Sequence, residues 1–400
     1  MKVRNVVLIF MIFIFVMITV PAFTSEEKEE VKEAPEVEKA VQDPYAIAPW
    51  ILEARKGLEK YRDIKLNFRG RQGQIPVWDT DLFLTNAEVE KLKKGNYKIA
   101  YCWQLYQGEY TEAIKAGVDL VVKNCNMRVV GETDANLDSM QQRADVETTV
   151  QLKPDIIITA AVDNVSAPEV FKPAVDAGIK LVFISTQPDG YRLGKEVHGL
   201  ATANPQAVGV MKIRLLAELA GEDAKIGFLF YDQDFWYANV FDDAARMAIK
   251  NEYPDMQVLE ELGFGTIEGA GIASSSIITR HPEVEAIYTP WNGPGLEAVS
   301  ACEAADRPDI QVISYAVDAP TLIALIKGPN LTGLVADMPY QFGMCCALLG
   351  AYALIDKPAP EFVATPVVNV TKNNIREIWD LAMKVPLPQS VDEELKKIGY

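Results

Sequence analysis

An α/β architecture, with parallel sheets divided between two lobes, is the fold predicted for this chain, and three observations predict it. Its 400 residues exceed what one ordinary hydrophobic core accommodates, so two lobes with added segments are expected. From Lys98 onward, short apolar runs alternate with helical patterns, the mark of right-handed βαβ units. Residues 283–300 compress one such unit into a few turns of chain. Ala286 to Thr289 form a β-prone run stopped by Pro290, and Gly293-Pro294-Gly295 then turn into an apolar helical pattern over 296–305. Trp291 and Asn292 fall at the carboxyl end of that strand, where open parallel sheets bind ligands.

The chain begins with Lys2 and Arg4, followed by an almost unbroken apolar run over 6–20 and then Pro21-Ala22-Phe23-Thr24-Ser25. A basic start, an apolar stretch and small residues make an export signal, with cleavage expected after Ala22. The uncharged span 5–25 is also long enough to stay as a single membrane anchor, so 1–24 is assigned as signal peptide or N-terminal anchor. Residues 25–42, rich in Glu, Lys and Pro, read as an acidic disordered spacer. An N-terminal extension over 43–96 follows, with a partial apolar stripe (Ile47, Ile51, Leu52, Leu58, Tyr61), a short apolar Ile75-Pro-Val-Trp78 and a helix-like 86–93. It is expected to pack outside the first lobe.

Strand runs are then predicted at 99–103, 129–130, 155–159, 181–185, 226–231, 286–289, 312–315 and 334–335. Helical patterns fall between most of them, at 113–123, 140–152, 168–177, 207–220, 240–251 and 296–305. Ala201-Thr-Ala-Asn-Pro205 breaks the rhythm and marks a lobe boundary. Gly263, Gly265 and Gly269 miss the dinucleotide fingerprint by one residue and read as a loop.

Composition excludes several function classes. A net charge of −17 argues against nucleic acid, which requires a basic face. The two histidines, His198 and His281, are far apart, and the five cysteines have no metal-ligand spacing, so no metal or other cofactor is expected. Buried inert thiols are the expected state of those cysteines. No P-loop and no nucleophile elbow are present, which ranks an enzyme last.

Several stretches together resemble one family. These are Asp155-Ile-Ile-Ile-Thr-Ala-Ala-Val-Asp163-Asn164, Pro173-Ala-Val-Asp-Ala-Gly178 leading into Ile179 to Ser185, and Ser276 to Tyr288. Ile310 to Asp318 and Leu331 to Gly343 complete the set. Over about 97–375 the chain is similar to type I periplasmic sugar-binding proteins of the ribose-binding kind, which share their fold with the ligand domains of LacI-like repressors. The resemblance implies two Rossmann-like lobes joined by a three-strand hinge, closing on one solute. Lobe 1 is then 97–203 with 338–364, and lobe 2 is 204–337 with 365–400. Transferred position by position, it implies ligand contact from Gln104, Glu109 and Tyr110 after the first strand, and from Asp163 and Asn164 after the third. Ser185 and Thr186 stand where relatives carry an Asp-Arg pair, a departure that removes a charged clamp. In the second lobe it implies contact from Trp236, Asn239, Trp291, Asn292, Asp318 and Asp337.

The chemistry agrees with that set, because sugars offer C–H faces to aromatic rings and hydroxyls to paired donors and acceptors. Each residue also has a structural reading. Asp163 and Asp318 stand where each would cap a helix, and Trp103 and Trp291 where each would fill core. The expected function is a monomeric extracytoplasmic receptor binding a sugar or polyol for the permease of an ABC importer. The alternative is a membrane-anchored sensor that uses the same lobes to signal to a partner protein.

Overall fold

The apolar runs pair into two sheets because the central strands, buried on both faces, require helices above and below them. The computed structural model describes residues 43–106, 108–185, 187–233 and 235–400. The expected export signal and acidic spacer lie outside the described residues. The first sheet holds β1 (Pro76–Trp78), β2 (Lys98–Trp103), β3 (Arg128–Asp134), β4 (Ile156–Thr159), β5 (Lys180–Ile184) and β6 (Gly199–Ala203). The second holds β7 (Lys225–Tyr231), β8 (Gln257–Phe264), β9 (Ala286–Tyr288), β10 (Gln311–Tyr315) and β11 (Leu331–Asp337). The last two strands, β12 (Phe362–Thr365) and β13 (Val367–Val370), are divided between them. The first sheet runs β1-β12-β6-β5-β4-β2-β3 and is parallel throughout. The second runs β13-β11-β10-β9-β7-β8, with only β13 antiparallel, against β11.

The chain changes sheet three times. After β6 it enters the helix Pro205–Ala220, which packs on β10 and β11, and Asn204 caps that helix by accepting from the Ala207 amide at 3.1 Å. After β11 it returns in the helix Pro339–Leu354, which packs on β5 and β6. Pro366 alone separates β12 from β13. Pro339–Leu354 lies almost entirely buried and packs closely on Gly108–Asn124. A Cβ at Gly117 would stand 1.9 Å from the Tyr340 carbonyl oxygen, and one at Gly343 would stand 1.9 Å from that of Ile114. Only glycine at both positions lets these backbones approach.

Several elements differ from the expectation. The loop assigned around Gly263 is instead the end of β8, followed by a turn in which Thr266 caps the helix Ile267–Arg280, its hydroxyl accepting from the Gly269 amide at 3.1 Å. The helix after Trp291 starts at Asn292, earlier than its apolar pattern suggests. All five cysteines are buried free thiols.

The extension does more than pack on one lobe. It supplies β1 as the edge strand beside β12, and buries Ile51, Leu82, Leu84 and Leu92 against the cluster under Pro339–Leu354. Leu58 joins the second lobe's cluster with Ile375, Ile378 and Trp379, and Ile64 packs against that lobe as well. The Asn67 amide donates to Gln206 Oε1 at 2.7 Å, and Phe68 returns to the first sheet, its ring edge-on to Phe362 at 5.9 Å. The segment from Leu58 to Phe68 therefore straddles the crossings.

One buried carboxylate ties this extension down. Asp79 has no solvent exposure. Arg62 grips it with Nε on Oδ1 and Nη2 on Oδ2, both at 2.8 Å, and Gln341 Nε2 donates to Oδ2 at 2.6 Å. Arg55 Nε stands 3.7 Å away. Gln341 belongs to the helix just after the second crossing, so the cluster links the extension to the hinge. Asp79→Ala leaves two buried guanidinium groups without their counter-charge. It should lower the unfolding free energy by about 3–5 kcal/mol, read from denaturant titration. A loss below about 1 kcal/mol, the scale of an exposed pair, would contradict this account.

Candidate functional site

The carboxyl ends of the strands in both sheets meet around a cavity of about 320 Å³. From the first lobe, the helix Gly108–Asn124 contributes Tyr110, the turn after β5 contributes Ser185, and β6 contributes Thr202 and Ala203. Ser185 holds φ at +62°, a left-handed conformation uncommon outside glycine, and its amide donates to the Ala201 carbonyl at 2.8 Å. From the second lobe, the helix Trp236–Glu252 sets Tyr237 and Phe241 one turn apart on its inner face. Phe235 precedes that helix, Tyr315 ends β10, and Trp291 and Asn292 follow β9. Asp337, the last residue of β11, and Phe342 complete the lining at the second crossing.

The Trp291 turn is held from behind. Lys212, fully buried, donates to the carbonyls of Thr289 at 3.1 Å and Pro290 at 3.2 Å. Its ammonium lies over the rings of Tyr288 at 3.9 Å and Phe241 at 4.3 Å. Burial pushes this lysine down to about 7, with Asp242 opposing the shift. The Thr289 hydroxyl donates to the Ile313 carbonyl at 3.0 Å, tying the same turn to β10. A Cβ at Gly295 would stand 2.5 Å from Ser314 Oγ, so glycine there allows the following helix to close onto β10. Trp291 itself is half-buried, edge-on to Tyr231 at 5.1 Å and 5.8 Å from Phe264, so it belongs both to the wall and to the core behind it.

Asp337 is the polar centre. It is 2% exposed, and the Tyr110 phenol donates to its Oδ2 at 2.7 Å. Its Oδ1 has no hydrogen-bond partner among the described residues. Burial pushes the carboxyl above its ordinary value, and the phenols of Tyr110 and Tyr315 oppose the shift in part. The stability this group contributes is therefore complete below the ordinary carboxyl range and is lost as pH rises through the elevated value. The Tyr237 and Tyr315 phenols lie 3.1 Å apart, and burial raises both, which keeps them neutral. Thr202 Oγ1 likewise has no partner.

Of the residues expected at the site, this cavity gathers Tyr110, Trp291, Asn292 and Asp337. Asp318 lies behind Asn292: its Oδ2 accepts from Asn292 Nδ2 at 2.7 Å and its Oδ1 from the Thr321 amide at 2.9 Å, a cap on the helix Ala319–Lys327. Asp163 accepts from the amides of Val165 and Ser166 and the hydroxyls of Ser139 and Ser166, closing its own loop. Hydrogen bonds from Ser166 hold its carboxyl below the usual range. Asn164 shares that loop, its carbonyl accepting from the Asp189 amide at 3.0 Å. The Gln104 carbonyl accepts from Leu137, and Glu109 sits in the first turn of Gly108–Asn124; neither lines the cavity. Trp236 packs against both Phe68 and Phe362, and Asn239 is exposed on an outer groove of the second lobe. Thr186 lies outside the described residues. Tyr237, Phe241, Tyr315 and Phe342 were not anticipated; an aromatic pair at helical spacing reads as core, and here it is core with one face open.

The arrangement is a box of aromatic faces around one buried carboxylate, suited to holding a small molecule. Among the described residues, no group of His, Cys, Asp and Glu is placed to hold a metal ion, and no helix is long and apolar enough to cross a membrane.

Comparison with known proteins follows the same outline. The ribose import binding protein of Bacillus subtilis is 22% identical over 282 residues, covering 68% of this chain and 87% of that protein. A periplasmic ribose ABC transporter structure from Conexibacter woesei superposes with a TM-score of 0.64 at 18% identity, covering 72% of this chain and 98% of that one. The arabinose-binding protein AraP of Geobacillus stearothermophilus gives 0.64 at 17% identity, covering 70% of this chain and 99% of that one. Such likeness establishes the two-lobed type I periplasmic binding protein fold. Residues 99–358 match the family described as periplasmic binding protein domain. The chain therefore belongs to the periplasmic binding protein family, with the type I fold.

Proposed function

We propose that this protein is an extracytoplasmic receptor that binds one sugar or polyol between its lobes and passes it, unchanged, to the permease of an ABC importer. The observation that carries the reading is the cavity at the strand ends, in which aromatic faces from both lobes surround Asp337. Rings such as Trp291 offer flat surfaces to the C–H faces of a sugar. The unpartnered oxygen of Asp337 offers a charge-assisted bond to a hydroxyl, and Asn292 and Thr202 supply further polar contacts. The position of the cavity beside the three crossings suits closure of one lobe on the other as the solute binds. The basic and apolar start of the chain supports an extracytoplasmic site of action.

Thermal melting of the purified protein against a panel of pentoses, hexoses and polyols tests the reading. A ligand at a hundredfold excess over its dissociation constant should stabilise the fold by about 2.7 kcal/mol. The ligand should be recovered chemically unchanged after long incubation. A silent panel, or a converted ligand, would contradict the proposal.

Trp291→Ala provides the residue-level check. Titration of the best ligand should show affinity reduced about tenfold or more, or about 1.4 kcal/mol, as the stacking face is lost. Undiminished affinity in the folded fraction would assign Trp291 to the core alone.

A further inference from the structure

The cavity holds an electrostatic imbalance. Asp337 is 2% exposed and lines it, yet no lysine, arginine or histidine stands among the described residues of the lining. The buried cation behind the wall, Lys212, donates to the carbonyls of Thr289 and Pro290. Tyr110 donates to one carboxylate oxygen, the other accepts no hydrogen bond among the described residues, and the nearby Tyr315 phenol brings no charge. A lone carboxylate that a closing site removes from water must gain a proton or a counter-charge. A ligand hydroxyl would give Oδ1 a hydrogen bond but no charge. A cationic nitrogen gives both.

The walls favour the same chemistry. Seven of the twelve lining residues are aromatic, and the faces of such rings attract cations as well as C–H groups. A net charge of −17 also raises the local concentration of cationic solutes near the protein.

We propose that the solute carries a cationic nitrogen on its polyol frame, seated on Asp337 Oδ1 within the aromatic walls: an amino sugar or a related aminopolyol. This rests on the sugar-or-polyol reading above and narrows it. Asp337 is the specificity-determining residue, and Tyr110 positions it by fixing Oδ2.

Calorimetric titration of the full chain with matched pairs tests this: D-glucosamine against D-glucose, and D-galactosamine against D-galactose, with N-acetyl-D-glucosamine as a neutral control of greater bulk. At a pH where the amine is protonated, the amine of at least one pair should bind at least tenfold tighter than its neutral partner and than the N-acetyl control. Asp337→Asn, which keeps an acceptor for the Tyr110 phenol, should abolish that preference. Equal or tighter binding by the neutral member of both pairs overturns the inference and leaves the sugar reading intact. So does a preference that survives in folded Asp337→Asn. Failure of every member to bind overturns it too, and the sugar reading then falls only if the wider neutral panel is silent. The comparison on the unaltered protein decides the matter even if the variant does not fold.

Discussion

A carboxylate with almost no access to water, placed where the chain passes from one lobe to the other, is the constraint on which the site depends. Asp337 ends β11 and precedes the helix Pro339–Leu354 by one residue, so it cannot move without moving the crossing. Its partner Tyr110 comes from a helix that packs on Pro339–Leu354 through the Gly117 and Gly343 contact. The packing that fixes the hinge helix therefore also fixes the polar centre of the cavity. Burial destabilises the ionised form of this carboxylate, and under the proposed function a solute that satisfies it would recover that cost. On that proposal, binding and closure would draw on the same interaction.

The extension adds a second buried carboxylate to this hinge. Asp79 reaches Gln341 two residues beyond Pro339, and the segment from Leu58 to Phe68 touches the cores of both lobes. Relative motion of the lobes must either carry this segment with one lobe or strain it. Trp236, packed against Phe68 and Phe362, lies on that seam and not in the cavity. A residue that looked suited to stacking on solute thus packs, tilted, against the extension.

The sequence made the fold legible where burial was two-sided. Runs such as Ile156–Thr159 and Lys180–Ile184 are continuous and apolar because helices cover both faces of their sheet. The edge strand β8 was missed, since Glu260 and Glu261 interrupt its apolar character, and β1 is only three residues long. At the site, Trp291 and Asn292 were legible from proline and glycine chemistry, and Tyr110 and Asp337 only through resemblance. Acidic residues at helix starts have two uses, and Asp163 and Asp318 are engaged as caps and loop closures. Tyr237, Phe241 and Tyr315 were illegible because a ring that faces a cavity and a ring that faces core leave the same periodic trace.

Hydrogen–deuterium exchange of the protein with and without a saturating sugar tests most directly whether solute is held between the lobes. The account predicts simultaneous protection of the first turns of Gly108–Asn124 in one lobe and of the Trp291 turn and the start of Trp236–Glu252 in the other. Protection confined to one lobe, or to a surface remote from these segments, would contradict it.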